Sequence, residues 1–435
     1  MFHPSKSMGF RFRVSGNGHL PVLMLFVVLA LCTEIISGIT NGQGSKWDFA
    51  NFYDAGHKVL AGEFKNLYNP SATIEGRPSQ GDMPFYGTPL SAILYVPLAM
   101  FPPDVSLVLF KIQNTLANLA GIVLLYLKNR RFGETASRSG TVFLTMFTIA
   151  AALFQPFWDI YHIGGQTTPT VFLALVLAFH WLVQGRDFLA ALCFVFAVAI
   201  KPAFVFALTL LALLSGLRFT GYAAGIGLSI GATSVAWMGW PIHEIFLRHI
   251  LKQYPKSWIY NSSLSVAFDN LRMVFDTSSA QFPIVVMGAL VRLGAASVFT
   301  WLYARHRLRI PSVSGRRHLD FHIAVTSCLL IMPVIWEHYL ALLFIPLSYC
   351  LAIQHLLPRK AAYMLALIFL ASIMQNVNVI MWLDTSITID TPAGLFFAGL
   401  LKSAPLALTA LLLAVYHRDV IDSYFSPEWQ SGRME

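Results

Sequence analysis

Residues 188–215 read FLAALCFVFAVAIKPAFVFALTLLALLS, with about a dozen apolar residues on each side of Lys201-Pro202. A helix needs about 20 apolar residues to cross a bilayer, so neither half spans alone. Proline breaks helix continuity, because it lacks the N–H and crowds the preceding turn. The stretch is therefore either one broken crossing or a hairpin that returns to the side it left. One crossing would put Arg218 and every later basic cluster on the opposite side from the earlier ones. A hairpin puts them all on one side.

Charge placement favours the hairpin. Lysine and arginine cluster in segments between apolar runs: Lys6, Arg11 and Arg13; Lys128, Arg130 and Arg131; Arg305, Arg307, Arg309, Arg316 and Arg317; Arg359 and Lys360; Arg418. Cytoplasmic loops carry such an excess. The chain is 56% hydrophobic and 12% charged, with mean hydropathy +0.62; soluble domains carry about 25% charged residues. The apolar runs do not alternate with period two, which argues against a membrane barrel. The reading is an all-α polytopic membrane protein forming a single domain over residues 1–435. It has ten crossings near 20–40, 105–127, 138–155, 166–183, 220–239, 283–304, 320–335, 339–356, 361–381 and 393–416. With the 188–215 hairpin that makes about 12 membrane helices. Residues 20–40 follow a basic start without a clear small-residue cleavage site, so they read as an uncleaved first helix. The net charge of +9 lies in the loops and no nucleic-acid motif accompanies it, so nucleic acid is not an expected partner. Cys32, Cys193, Cys328 and Cys350 sit in apolar runs without metal-ligand spacing and read as packing residues.

This topology leaves two long external segments, 41–104 and 240–282, and longer loops are where function concentrates. The first holds KWDFANFYDAGHKVLAGEFKNLYNP, residues 46–70. It reads as a helix beginning near Asp48, with Phe49, Phe52, Tyr53, Val59 and Leu60 on the membrane interface. Asp48 is either an N-cap or a general base at the lip of a membrane cavity. Asp54 reads as a solvated helix residue or a positioning group. Glu34 lies within the first helix and needs a partner or a polar cavity. Gln166 follows Gly164-Gly165 at the start of a helix, where an anion can bind. Lys201 is intramembrane and has three readings: a carbonyl partner, a lipid phosphate, or snorkelling to the cytoplasm. Arg248, His249, Lys252, Lys256 and Arg272 bring positive charge to the external side, against the general bias. They suit either a phosphate headgroup or ordinary solvation. His338 beside Glu337 is an interfacial histidine or a sugar or phosphate ligand. Asn261-Ser262-Ser263 also fits a glycosylation acceptor pattern, which is common by chance.

The ordered motifs resemble glycosyltransferase family 87. WDFANFYDAGHKVLAGEFKNLY is similar to the family's first-loop signature. FYGTPLSAILYVPLAMFP is similar to its next block, from whose aromatic-Tyr-x-Pro-Pro pattern Gly87-Thr88-Pro89 departs. GGQTTPTVFLALVLAFHWLVQGRDFLAALCFVFAVAIKPAF resembles its Gly-Gln helix and Lys-Pro hairpin. NSSLSVAFDNL resembles its external Asn-x-Ser-Leu block, and WEHYLALLFIPL its late Trp-x-His-Tyr segment.

The resemblance implies a GT-C membrane glycosyltransferase. It would take a sugar, by default mannose, from a polyprenyl phosphate and pass it to a glycolipid or glycan acceptor among the membrane lipids. It would sit in a bacterial inner membrane with its site on the external, periplasmic side. The resemblance assigns the catalytic base to Asp48 and a place near the substrate to His338. Glu34, Gln166, Lys201, Arg248, Lys252, Lys256 and Asn261 complete the expected substrate-binding set. A sugar phosphate carries its own leaving group, so the chemistry needs a base for the acceptor hydroxyl and cations for the departing phosphate. Direct displacement would invert the anomeric centre. The sequence has no Asp-x-Asp, so no metal and no other cofactor is expected. The rival readings are a transporter or flippase of lipid-linked sugars and a noncatalytic glycolipid-binding subunit. A transporter predicts paired broken helices in two related halves, and Lys201-Pro202 has no counterpart.

Overall fold

The computed structural model describes residues 28–29, 32–33, 35–39, 46–69, 85–136, 140–158, 165–251, 261–271, 278–373, 375 and 391–425. Among these the secondary structure is helical, with no strand and one isolated bridge, between Asn261 and Trp336. In chain order the α-helices are α1 Lys46–Leu60, α2 Val96–Ala99, α3 Pro103–Ala136, α4 Gly140–Leu153, α5 Thr168–Val183, α6 Asp187–Ile200, α7 Val205–Ser215 and α8 Leu217–Met238. They continue as α9 Trp240–Leu251, α10 Val266–Leu271, α11 Ser278–Arg307, α12 Val313–Ile331, α13 Phe344–Ala352, α14 Arg359–Ile373, α15 Pro392–Val415 and α16 His417–Ser423.

Among the described residues, three helical stretches are long and apolar enough to cross a membrane: Pro103–Arg130, Phe282–Arg307 and Ala393–Val415. Shorter apolar helices surround them, so the chain has the make-up of a membrane protein without fixing the expected number of crossings. The centre is α12 with the run 337–352, a 3-10 helix from Glu337 to Leu343 continued by α13. Leu329, Leu330, Leu342, Leu343, Phe344 and Ile345 are fully buried there.

Ion pairs trace the path of residues 187–215. At about 1.5 Å per residue, the 14 residues of α6 carry the chain about 20 Å from Asp187. Yet Arg218, one residue into α8, lies 3.8 Å from Asp187. Arg317 reaches the same carboxylate at 2.9 Å, and Arg307 grips both Asp320 and the Leu214 carbonyl. The end of α7 thus returns to the start of α6. The chain reverses at Lys201, which is extended (φ −128, ψ 92), and Pro202 opens a 3-10 turn there. The reversal separates two ends of the molecule: a basic end holding Arg218, Arg307 and Arg317, and the opposite end holding Lys201.

Helix α1 lies at the Lys201 end. Its aromatic face docks on the chain's own next block, while Leu60 stays exposed. Phe49, Tyr53 and Val59 are buried in one cluster with Phe85, Tyr95, Leu98, Leu107 and Phe110. Phe52 stacks on Tyr95 at 4.9 Å, and Tyr53 donates to the Phe101 carbonyl at 2.7 Å. Burying side chains of this size contributes about 1.5–3 kcal/mol each, which holds α1 on this surface. Asp54 is buried too, paired with Lys58 at 2.6 Å, and is not a solvated residue.

The middle of the 240–282 segment is likewise inside. Asn261, Ser262, Ser263, Ser265, Asp269 and Asn270 are buried, and α10 packs between α11 and α15. Its polar side chains tolerate this because they are bonded internally. Ser265 donates to Asp269 at 2.7 Å, and Asn270 donates to the Leu395 carbonyl at 3.0 Å.

Candidate active site

The site is built around the break after α6. The last carbonyls of a helix lack intrahelical donors, and Pro202 brings no N–H. Thr88 supplies two donors to the Ala199 carbonyl, its backbone N–H at 3.1 Å and its hydroxyl at 2.9 Å. This ties the FYGT block to the turn presenting Lys201. The Lys201 ammonium is buried and its three N–H groups meet three acceptors. It lies 2.8 Å from Thr168 Oγ1, 3.4 Å from Gln166 Oε1 and 3.3 Å from His338 Nε2. It also sits 3.8 Å above the Tyr339 ring, where a cation is attracted to the π face. None of the snorkelling expected as one alternative occurs.

Gln166 joins this cation to Asp48. Its Nε2 donates to Asp48 Oδ2 while its Oε1 accepts from Lys201. A carboxylate takes only donors and an ammonium takes only acceptors. An amide offers one of each, so glutamine bridges the two and its orientation is fixed. Gly165, at φ +77, precedes it in the left-handed region that favours glycine. The turn delivers Gln166 to the start of α5 as expected, where its side chain meets the Asp48 carboxylate.

Asp48 falls in the first turn of α1, which begins at Lys46, so it is not the N-cap. A carboxylate there still benefits from the helix dipole, and its side chain turns to Gln166. Burial pushes its carboxyl up to about 6, against the opposing pull of the Lys201 charge and the Gln166 hydrogen bond. That puts an ionisable acceptor near neutrality, where a general base works best. Tyr86 is the exposed neighbour; partial burial and the Asp48 charge push its phenol up.

His338 belongs to the 3-10 helix Glu337–Leu343 and is buried. Lys201 donating to Nε2 places the ring proton on Nδ1. Glu337 pairs with Lys402 of α15 at 2.7 Å. Asn261 holds the preceding turn, accepting from the backbone of Ile335 and Ser263 at 3.0 Å each and donating to the Pro333 carbonyl at 3.2 Å. Its amide therefore braces backbone.

The structure thus brings together Asp48, Gln166, Lys201 and His338, with Asn261 behind them. It does not bring Arg248, which is exposed on α9 and paired with Glu244 one turn away. Glu34, Lys252, Lys256 and Arg272 lie outside the described residues, as does the side chain of His249. The sequence reading missed Thr168, Tyr339, Tyr86 and Lys402. Lys402 carried a legible signal: an ionisable residue inside the apolar run 393–415 calls for a partner.

A family model for glycosyltransferase family 87 matches residues 85–333, more than half of the chain. The chain belongs to glycosyltransferase family 87. Family 87 membership and the apolar helices make it a glycosyltransferase of membrane type. The match takes in Gln166, Lys201, Arg248 and Asn261, and it leaves Asp48 on one side and His338 on the other. The two ends of the site thus rest on the geometry, outside the matched residues. No curated protein and no solved structure matches the chain.

Proposed function

We propose that the protein transfers a sugar from a polyprenyl-phosphate donor to a hydroxyl of a lipid or glycan acceptor, at the membrane face opposite its basic end. The observation that carries this reading is the unbroken chain Asp48–Gln166–Lys201–His338. It sets a carboxylate poised near neutrality one amide away from a buried cation. Asp48 takes the proton of the acceptor hydroxyl, and the oxygen attacks the anomeric carbon. The bond from that carbon to the phosphate oxygen breaks, and polyprenyl phosphate departs with the electron pair. The positive charge of Lys201, held in place by His338, stabilises the charge that grows on the phosphate through its field, which acts strongly in a water-poor site. Attack opposite the leaving group inverts the anomeric centre. Mannose is the default sugar, and the donor's chain stays in the bilayer while its headgroup docks.

The test uses protein in nanodiscs supplied with radiolabelled polyprenyl-phosphate sugars and a membrane lipid extract. Wild type should transfer label and Asp48→Asn should not. No transfer from any donor would overturn the proposal, and full activity of Asp48→Asn would remove Asp48 from the role of base.

A further inference from the structure

Helix α15 lies beyond the stretch matched by the family model, yet it reaches the site. Leu395, Gly399 and Lys402 are spaced i, i+4, i+7 and share one face. The Leu395 carbonyl accepts from Asn270 at 3.0 Å. Gly399 is pressed on α10 so closely that a Cβ would stand 2.5 Å from Ala267 Cα. Further along, the Leu401 carbonyl accepts from Gln375 at 3.4 Å. The helix is thereby fixed along its axis and sideways, and Lys402 is aimed at Glu337.

Glu337 is fully buried and Lys402 nearly so. Glu337 Oε1 takes the ammonium at 2.7 Å, while Oε2 has no hydrogen-bond partner among the described residues. Lys402 is therefore the group that compensates this carboxylate. A buried ion pair adds little net stability, but removing one partner strands the other, and such pairs act mainly by fixing one arrangement. The arrangement here is specific. Glu337 opens the 3-10 helix whose next two residues are His338 and Tyr339. Those two hold Lys201, by ring nitrogen and by ring face.

We infer that Lys402 is a positioning residue: through Glu337 it sets His338 and Tyr339 around Lys201, and so aligns the leaving phosphate with Asp48. This rests on the proposed function.

The experiment compares wild type, Lys402→Met, Lys402→Arg and the double variant Glu337→Gln/Lys402→Met in nanodiscs. Transfer is normalised to folded protein. Misplacement of reacting groups by about 1 Å costs up to about a hundredfold, so Lys402→Met should lower kcat by about tenfold to a hundredfold. Lys402→Arg should recover most of it, and the KM for acceptor should stay near that of wild type. The double variant strands no charge, so it should regain the melting temperature without regaining kcat; it carries the test if Lys402→Met does not assemble. Wild-type kcat per folded molecule in both methionine variants would overturn the inference. Binding of polyprenyl phosphate alone is read in parallel, and both methionine variants should weaken it. Unchanged affinity would overturn the inference even if wild type transferred no sugar, an outcome that would separately overturn the proposed function.

Discussion

Lys201 Nζ lies 3.3 Å from His338 Nε2, although 137 positions separate the two residues. The contact joins the turn after α6 to the 3-10 helix before α13, while the start of α5 brings Gln166 and Thr168 and α1 brings Asp48. Replacing Lys201 should thus act on both halves of the site.

The first consequence concerns pH. A base must be ionised, so kcat/KM should rise as pH increases through about 6, where Asp48 titrates. The Lys201 charge and the Gln166 hydrogen bond both favour the ionised form. Gln166→Leu should therefore move the acidic limb of the profile to higher pH, and Lys201→Met should do the same at a much lower maximum. Asp48→Asn should lose about 10²–10⁴-fold, the usual range for a general base. A limb that stays put or moves to lower pH in Gln166→Leu would show that another group controls the rate.

The same shift predicts a stability effect. Asp48 binds its proton more tightly in the folded protein than its ordinary value of 3.8. Folding is thus least hindered below that value and loses stability as pH rises to about 6. Asp48→Asn removes the cost, so its melting temperature should exceed that of wild type at pH 7 and converge with it below pH 4. Melting curves in nanodiscs across that range give the answer.

Gly56 locks α1 to the rest of the chain. A Cβ there would stand 2.4 Å from the Tyr95 carbonyl oxygen, whereas one at Gly225 in α8 would meet nothing within 4 Å. Gly56→Ala should lower stability by about 1–3 kcal/mol and reduce transfer by displacing Asp48. Gly225→Ala should not lower stability, because alanine is the better helix former. Thermal melting and transfer assays on the two variants separate them.

At the basic end, Asp320 is fully buried and takes two hydrogen bonds from Arg307. Asp320→Asn should cost about 3–5 kcal/mol, the range for breaking a buried pair. Arg218 is exposed and only 3.8 Å from Asp187, so Arg218→Ala should change stability by about 0–1 kcal/mol. Comparable losses in the two variants would contradict this ranking.

Sidedness can be read directly. Glu63 and Arg309 are both exposed and belong to opposite ends of the molecule. In a Cys32→Ser background, cysteine at position 63 should react with an impermeant maleimide on intact cells. Cysteine at position 309 should react only after permeabilisation. The reverse pattern would invert the orientation.

The sequence by itself determined the solvent and the punctuation. Apolar runs with few charges dictate a helical membrane chain, because lipid offers no partner to an open backbone. Lys201-Pro202 marks a break, because proline withholds a donor. The basic clusters mark one end. Asp48, Gln166, Lys201 and His338 could also be listed, since polar groups stand out in an apolar chain, while Thr168, Tyr86, Tyr339 and Lys402 were not singled out. What the sequence left open was where each polar group finds its partner. Asp48 read equally as a cap, Lys201 as a snorkelling residue, and Asp54 as solvated. Arg248 looked as eligible as Gln166. For Asp48 and Lys201, hydrogen bonds between residues more than a hundred positions apart decided the matter, and local spacing carries no record of such contacts; Asp54 and Arg248 instead pair one turn away. Only tertiary packing brings a carboxylate, an amide, an ammonium and an imidazole into one line. It does so because each of these groups, once buried, must be satisfied by another.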